Sequence, residues 1–315
     1  MRLLVTGGAG FIGSNFIQYI LAKHPDYEVV NLDALTYAGS LENLKEVKDN
    51  PRYKFVRGRI EDGKLVDKLM QGTDTVINLA AESHVDRSIM EPQVFITTNV
   101  LGTQILLDAA LRHKVKLFYQ ISTDEVYGAL KLGTKKRFTE KSPLRPNSPY
   151  SASKTAADLL VQAYHHTYGL PVVISRCSNN YGPKQHPEKF IPTVILNALN
   201  DRHIPIYGDG LYVRDWIHVL DHCKAIDVIM HKGELGQIYN VGADNEWANI
   251  DLAKKILRIL RKPDSLLTSV KDRPWHDRRY AIDSAKLKRD LSWKPTITFD
   301  KGLRETVLHY SKVGK

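Results

Sequence analysis

Short apolar runs and longer amphipathic stretches alternate through the first 177 residues. Residues 3–6, 29–33, 54–57, 75–79, 117–122 and 172–176 are rich in Val, Ile, Leu and Phe and mostly lack polar alternation. Parallel strands covered on both faces read this way. Between them, residues 12–23, 64–70, 94–113 and 151–168 carry helical periodicity. The alternation predicts a doubly wound α/β fold: a parallel Rossmann sheet with right-handed crossovers. After Arg176 the pattern changes. Residues 178–212 are rich in Pro, Gly, Asn and Tyr around one helix at 191–200. Further helices are predicted at 219–230, 249–260 and 301–311, and a strand at 238–241. The reading is a dinucleotide-binding domain over 1–177 and a smaller lobe over 178–315, with some later segments returning to the first domain. The cleft between them is the expected ligand site.

A chain of 315 residues is long enough for such a pair of units. No apolar run approaches the roughly 20 residues of a membrane span. The apolar N-terminus is broken by glycines before a signal core forms, so a cytoplasmic protein is expected. Cys177 and Cys223 stand in apolar contexts without partners at metal-ligand spacing, which predicts buried free thiols and no metal. Lys plus Arg exceeds Asp plus Glu by 45 − 35 = 10. These charges are scattered, and residues 131–137 form their densest cluster, in an expected solvated loop. Nucleic acid is a poor fit; anionic pyrophosphate ligands are a better one.

Residues 6–13 read TGGAGFIG, between the first strand and first helix. Gly7, Gly10 and Gly13 form a spacing variant of the dinucleotide fingerprint. Gly7 permits the tight turn, Gly10 admits the pyrophosphate and Gly13 lets helix pack on strand. The helix N-terminus offers its free N–H groups to the anion. Asp33 ends the second strand about 20 residues on, where a carboxylate binds ribose hydroxyls and repels a 2′-phosphate. NAD rather than NADP is therefore expected.

Tyr150 and Lys154 are four apart in PYSASK, stacked on one helical face. A nearby ammonium would draw the phenol's pKa toward neutrality and make it a base. Residues 122–128 read STDEVYG, with Asp124 and Glu125 adjacent after Thr123. With these motifs in place, the chain resembles the extended short-chain dehydrogenase/reductase family over nearly its whole length. The Thr-Asp-Glu triplet, with AAESHVDRS, RCSNNYG, PEKFIP and YVRDW, is similar to the dTDP-glucose 4,6-dehydratases within it. That resemblance implies that Tyr150 takes the C4 hydroxyl proton, Glu125 the C5 proton, and Asp124 donates to the departing C6 hydroxyl. Two neighbouring carboxyls suit opposite duties because repulsion separates their pKa values. The resemblance also implies cofactor contacts from Phe11, Ile12, Ile60, Ala80 and Asn99 beside Gly7, Gly10, Gly13, Asp33, Tyr150 and Lys154. It further implies a homodimer joined by a four-helix interface of 94–113 and 151–168.

Substrate contacts carried over by matching motif are Ser83, His84, Asn179, Glu188, Lys189, Arg214, Asn249, Arg273 and His276. Arginine suits a diphosphate because its planar fork binds two oxygens. The chain departs from the family pattern at Arg59, which replaces an aspartate near the adenine, and at Lys184, where an aromatic follows Gly-Pro. Trp247 and Trp275 add bulk beside substrate motifs. The reaction type is set by the acid pair, which argues against a sugar-nucleotide epimerase or decarboxylase. The retained Tyr, Lys and acids argue against a non-catalytic scaffold. Base and hexose stay open among dTDP-glucose, UDP-glucose and UDP-N-acetylglucosamine.

Overall fold

The structure is a computed structural model and describes residues 1–313; residues 314 and 315 of the predicted C-terminal lobe lie outside it. Among the described residues, twelve strands run β1 Arg2–Thr6, β2 Glu28–Asp33, β3 Tyr53–Arg57, β4 Thr75–Asn78, β5 Leu117–Thr123, β6 Val172–Cys177, β7 Asn179–Tyr181, β8 Ile204–Tyr207, β9 Val213–His218, β10 Ile238–Val241, β11 Glu246–Ala248 and β12 Leu267–Val270. Seven of them form one parallel sheet in the order β10-β6-β5-β4-β1-β2-β3. The strand order reverses between β1 and β4. The crevice above their C-terminal ends is where an open α/β sheet takes a ligand. Thr6 ties that switch point together: its hydroxyl donates to Asn78 Oδ1 at 2.6 Å and accepts from Ala80 N.

Helices cover both faces. One face carries α1 (Phe11–Lys23) against β1, β2 and a later helix; the other carries α2 (Gly63–Met70). Two short helices follow, α3 (Val85–Met90) and α4 (Pro92–Phe95), then a π-helical stretch Ile96–Gly102 and α5 (Thr103–Arg112). The predicted uniform helix over 94–113 is thus a continuous 21-residue rod, Pro92–Arg112, with a widened middle. A Cβ on Gly102 would come within 2.6 Å of the Ile60 side chain. This rod is long and apolar enough, by length and composition, to cross a bilayer, contrary to the sequence expectation. Half of it is buried inside the protein, packed on α2 and the next helix.

The remaining helices are α6 (Pro149–Tyr168), α7 (Phe190–Leu199), α8 (Val219–Lys232), α9 (Asn249–Leu260), α10 (Ala285–Leu291) and α11 (Phe299–Val313). α7, α9 and α11 pack around Trp216, Ile191 and Leu257 in a second core. The division at 178 is therefore spatially incomplete: α8 and α10 join the first core, and β10 becomes the sheet's edge. Periodicity found most long elements within a residue or two. It missed β7, β8, β9, β11 and β12, which are three to six residues long. Elements that short take their shape from tertiary pairing more than from local pattern.

Candidate active site

The first turn of α1 builds the cofactor end of the cleft. Gly10 caps the helix without a side-chain acceptor, and no acid occupies the first turn. The N–H groups there are left for an anion. Gly7 has φ +69°, and a Cβ on it would meet the Ala80 backbone at 2.7 Å. On Gly13 it would meet Gly7 O at 2.4 Å. Only a bare Cα fits at either position. Gly10 faces open space apart from Gly7 O at 3.3 Å. Asp33 holds the loop from β2: one oxygen accepts from Ala9 N and the other from Leu35 N, both at 2.8 Å. Each oxygen keeps a second lone pair. Burial raises its pKa, and those two N–H bonds oppose the rise.

Gly7, Gly10, Phe11, Ile12, Gly13, Asp33, Ile60 and Ala80 all line one continuous cleft, which runs on to Thr123, Asp124, Glu125, Tyr150 and Lys154. Asn99 does not reach it. That residue is 1% exposed, and its amide is spent on both backbone groups of Glu82 and on Ser153 Oγ. It braces the cleft wall from behind. Arg59 lines the cleft, as do Glu61, Ser178 and His186, which the sequence reading passed over.

The catalytic end is set by two caps. Ser148 and Ser151 form a reciprocal capping box with Pro149 at the first position, so α6 begins sharply and Tyr150 sits in its first turn. Lys154 follows one turn on. At the end of β5, Thr123 Oγ accepts from Glu125 N at 3.2 Å and starts a single 3₁₀ turn, Asp124–Tyr127. Gly128 ends that turn at φ +81°, with Arg145 O 2.3 Å from where a Cβ would stand.

These placements give two neighbouring acids unlike surroundings. Asp124 is buried; its Oδ1 meets Thr123 Oγ at 3.4 Å and its Oδ2 has no partner. Burial, then the charges of Glu125 and Asp215, push its pKa well above the carboxylate range. Glu125 is only partly buried. Burial raises it too, but Arg214, Lys189 and Arg273 pull it back. Both carboxyls are raised, but at Glu125 nearby cations oppose the rise, so Asp124 is the one held more firmly as an acid.

Tyr150 departs from the sequence expectation. Burial, then Glu125's charge, drives its hydroxyl well above its ordinary pKa, and the Thr123 hydroxyl opposes this. The Lys154 ammonium donates to Ile121 O at 2.7 Å, and its own pKa is lowered by burial. Burial dominates at Tyr150, and the Lys154 ammonium is turned to the strand, so it does not offset it.

Across the cleft, Ser83, Asn179 and Lys189 complete the lining. Lys189 Nζ donates to Ser83 O at 3.1 Å. His84 and Glu188 flank this group; burial lowers the His84 pKa, with Lys189 next. Arg214 is buried, its guanidinium 4.3 Å over Tyr280 and bonded to the Val213 and Asp277 carbonyls. Arg273 pairs with Asp86 at 3.3 Å, and His276 stacks on Tyr212 at 3.6 Å. Asn249 opens α9, its N–H on Tyr212 O. Buried polar atoms without a protein partner include Asp124 Oδ2 and Asn179 Oδ1 in the lining, and His84 Nδ1, Glu188 Oε1 and Arg273 Nε outside it. The two in the lining suit a polar ligand.

The other departures lie outside the lining. Lys184, at φ +73°, donates to Asn43 O and pairs with Glu46. Trp247 packs on Phe299 in the second core, and Trp275 is 87% exposed.

The sequence profile described as GDP-mannose 4,6 dehydratase matches residues 4–306. The chain belongs to that family. Among its GDP-mannose 4,6 dehydratase family relatives is the low-salt glycan biosynthesis protein Agl12 of Haloferax volcanii, 51% identical over 98% of each chain. A dTDP-glucose 4,6-dehydratase of Xanthomonas campestris is also 51% identical, over 98% of this chain and 92% of its own. The crystal structure of DesIV, the dTDP-glucose 4,6-dehydratase of Streptomyces venezuelae, with NAD bound superposes with a TM-score of 0.96 at 48% identity, covering 99% of this chain and 97% of that one.

Proposed function

We propose that this family member is an NAD-dependent hydro-lyase that converts dTDP-glucose to dTDP-4-keto-6-deoxyglucose. The observation that carries the reading is the split environment of Asp124 and Glu125 beside Tyr150. Elimination of water from C5 and C6 needs one base and one acid on a single hexose, and an epimerisation at C4 needs neither. The relatives named dTDP-glucose 4,6-dehydratase at about half identity support the same reaction and the same nucleotide.

The residues present fit NAD. Free N–H groups at the start of α1, the bare Cα of Gly10 and the spare lone pairs of Asp33 match a pyrophosphate and a ribose diol. When bound, NAD would accept and return hydride and, in its oxidised form, add a positive charge that favours phenolate. Only as phenolate can Tyr150 Oη take the C4 hydroxyl proton, so the bound cation must offset the rise in its pKa that burial causes. Glu125 then takes the proton from C5, which a C4 ketone has acidified, Asp124 protonates the C6 oxygen as water leaves, and Glu125 gives its proton back to C5 as C6 is reduced. Arg214, Lys189 and Arg273 oppose the rise that burial causes in the Glu125 pKa, favouring its ionised form, and their charge suits a diphosphate.

The proposed assembly is a homodimer. Val94, Ile96, Leu101 and Leu159 are exposed apolar residues on Pro92–Arg112 and α6, two elements that pack side by side. Unpartnered apolar surface of this kind marks an association face.

Incubation with dTDP-glucose, UDP-glucose and UDP-N-acetylglucosamine in parallel, with mass detection of water loss, tests the reading. Loss of water from dTDP-glucose first is the expected result. An isomer of unchanged mass from every substrate sinks it. Sedimentation of the purified chain tests the dimer, and a monomer at micromolar concentration would remove it.

A further inference from the structure

At the opposite end of α1 from the cofactor loop, roughly 20 Å along the helix, a second polar cluster closes around Asp227. Its carboxylate is 4% exposed. His24 Nε2 and His231 Nδ1 both lie 3.0 Å from Asp227 Oδ1. The ligand atoms of the three residues fall within 4.8 Å of one another. We propose that His24, Asp227 and His231 form a site for a divalent transition ion of the zinc class, with water completing a four-coordinate shell.

Residue type fits: two imidazoles and one carboxylate are a zinc donor set. Geometry fits as well. Asp227 and His231 are four apart on α8, so both project from one face, and His24 ends α1 and meets them from the side. The carbonyl ends of α1 and α8 converge there, and helix C-termini favour a cation. An outer shell is already in place. Tyr27 Oη lies 2.6 Å from His231 Nε2, positioned to orient that ring, and its own ring stacks on His24 at 4.5 Å. Tyr19 Oη donates to Asp227 Oδ2 at 3.0 Å. Two contacts compete with the ion: the Lys23 ammonium, 2.9 Å from Asp227 Oδ2 on a half-exposed side chain free to withdraw into solvent, and the Asp227 carbonyl, 2.7 Å from His231 Nδ1, whose proton the ion must displace. The site joins α1 to α8 across the first core, so its role is to lock these two helices together.

The test is titration of the EDTA-dialysed full chain with Zn²⁺ by calorimetry, and with Co²⁺ as the spectroscopic probe. One equivalent per chain, an intense tetrahedral Co²⁺ band and a Zn²⁺-dependent rise in Tm are expected. His24→Ala and His231→Ala should each abolish saturable binding, and Tyr27→Phe should weaken it about tenfold. Lys23→Gln should tighten it by removing the competing ammonium. Turnover of the metal-free enzyme should be unchanged. The proposal is overturned by absence of saturable Zn²⁺ binding to the wild type, or by wild-type binding in both histidine variants.

Discussion

The two halves of the cleft are built in different ways. The cofactor half is mostly backbone, from one contiguous loop: the start of α1 offers N–H groups, Gly7, Gly10 and Gly13 leave empty space, and Asp33 holds the loop from the neighbouring strand. The sugar half is side chain, gathered from separate segments: the β5 end, the start of α6, the loop before α7, β9, and the loop carrying Arg273 and His276. A backbone site tolerates little change in bulk but needs few particular side chains. A side-chain site is tuned by charges several residues apart in space and far apart in sequence, as Arg214 and Lys189 tune Glu125.

The sharpest way to break this contrast is to remove single functional atoms from the sugar half. Tyr150→Phe should lower turnover by about 10²- to 10⁴-fold with NAD binding intact. Glu125→Gln and Asp124→Asn should lose a similar factor in elimination. In these two variants reduced nicotinamide should accumulate on mixing with substrate, seen by its absorbance. Full dehydratase turnover in both would end the acid-pair assignment.

The backbone half should fail by sterics. Gly13→Ala should destabilise the protein by about 1–3 kcal/mol, since a Cβ there overlaps Gly7 O. It should weaken NAD more than substrate, read by separate binding titrations. Unchanged NAD affinity would mean the loop gives way freely.

Charge tuning predicts a pH effect. Glu125 must be ionised to act as base, and its pKa is raised by burial. The acid limb of kcat should therefore stand above the ordinary glutamate range. Arg214→Gln removes a charge that pulls it down, so that limb should move to higher pH. A limb that stays in place would show that Arg214 serves the nucleotide alone.

Asp124 makes a stability prediction of opposite sense to its catalytic one. Its carboxyl titrates higher in the fold than in the unfolded chain. Its contribution to folding is full at pH below the unfolded carboxyl's range and is lost as pH rises through the folded value. Asp124→Asn removes that loss and should raise Tm at neutral pH while turnover falls. The smallest effect belongs to Trp275→Ala. At 87% exposure, its loss should change stability by less than about 0.5 kcal/mol. Nucleotide KM should hardly move.

What was legible in the sequence was whatever is local. The glycine loop, the capped start of α6 and the acid pair at a strand end are each set within a few residues, so pattern and spacing revealed them. Asp33 was readable because β1, α1 and β2 follow in fixed order. That the Asn99 amide turns to Glu82 and Ser153 was not legible, because helical position does not say which side of a wall an amide reaches. The pKa shift expected at Tyr150 runs the other way because spacing brings Lys154 near but does not reveal that its ammonium turns to Ile121 O or that both groups are buried. The His24–Asp227–His231 cluster was invisible, its members lying 203 and 207 positions from His24 along the chain. Sequence alone determined the chemistry available, since residue types and short spacings are covalent facts. Only the tertiary structure decided which of those groups are dry, which are paired and which meet, because burial and long-range contact depend on how sheet and lobes close over them.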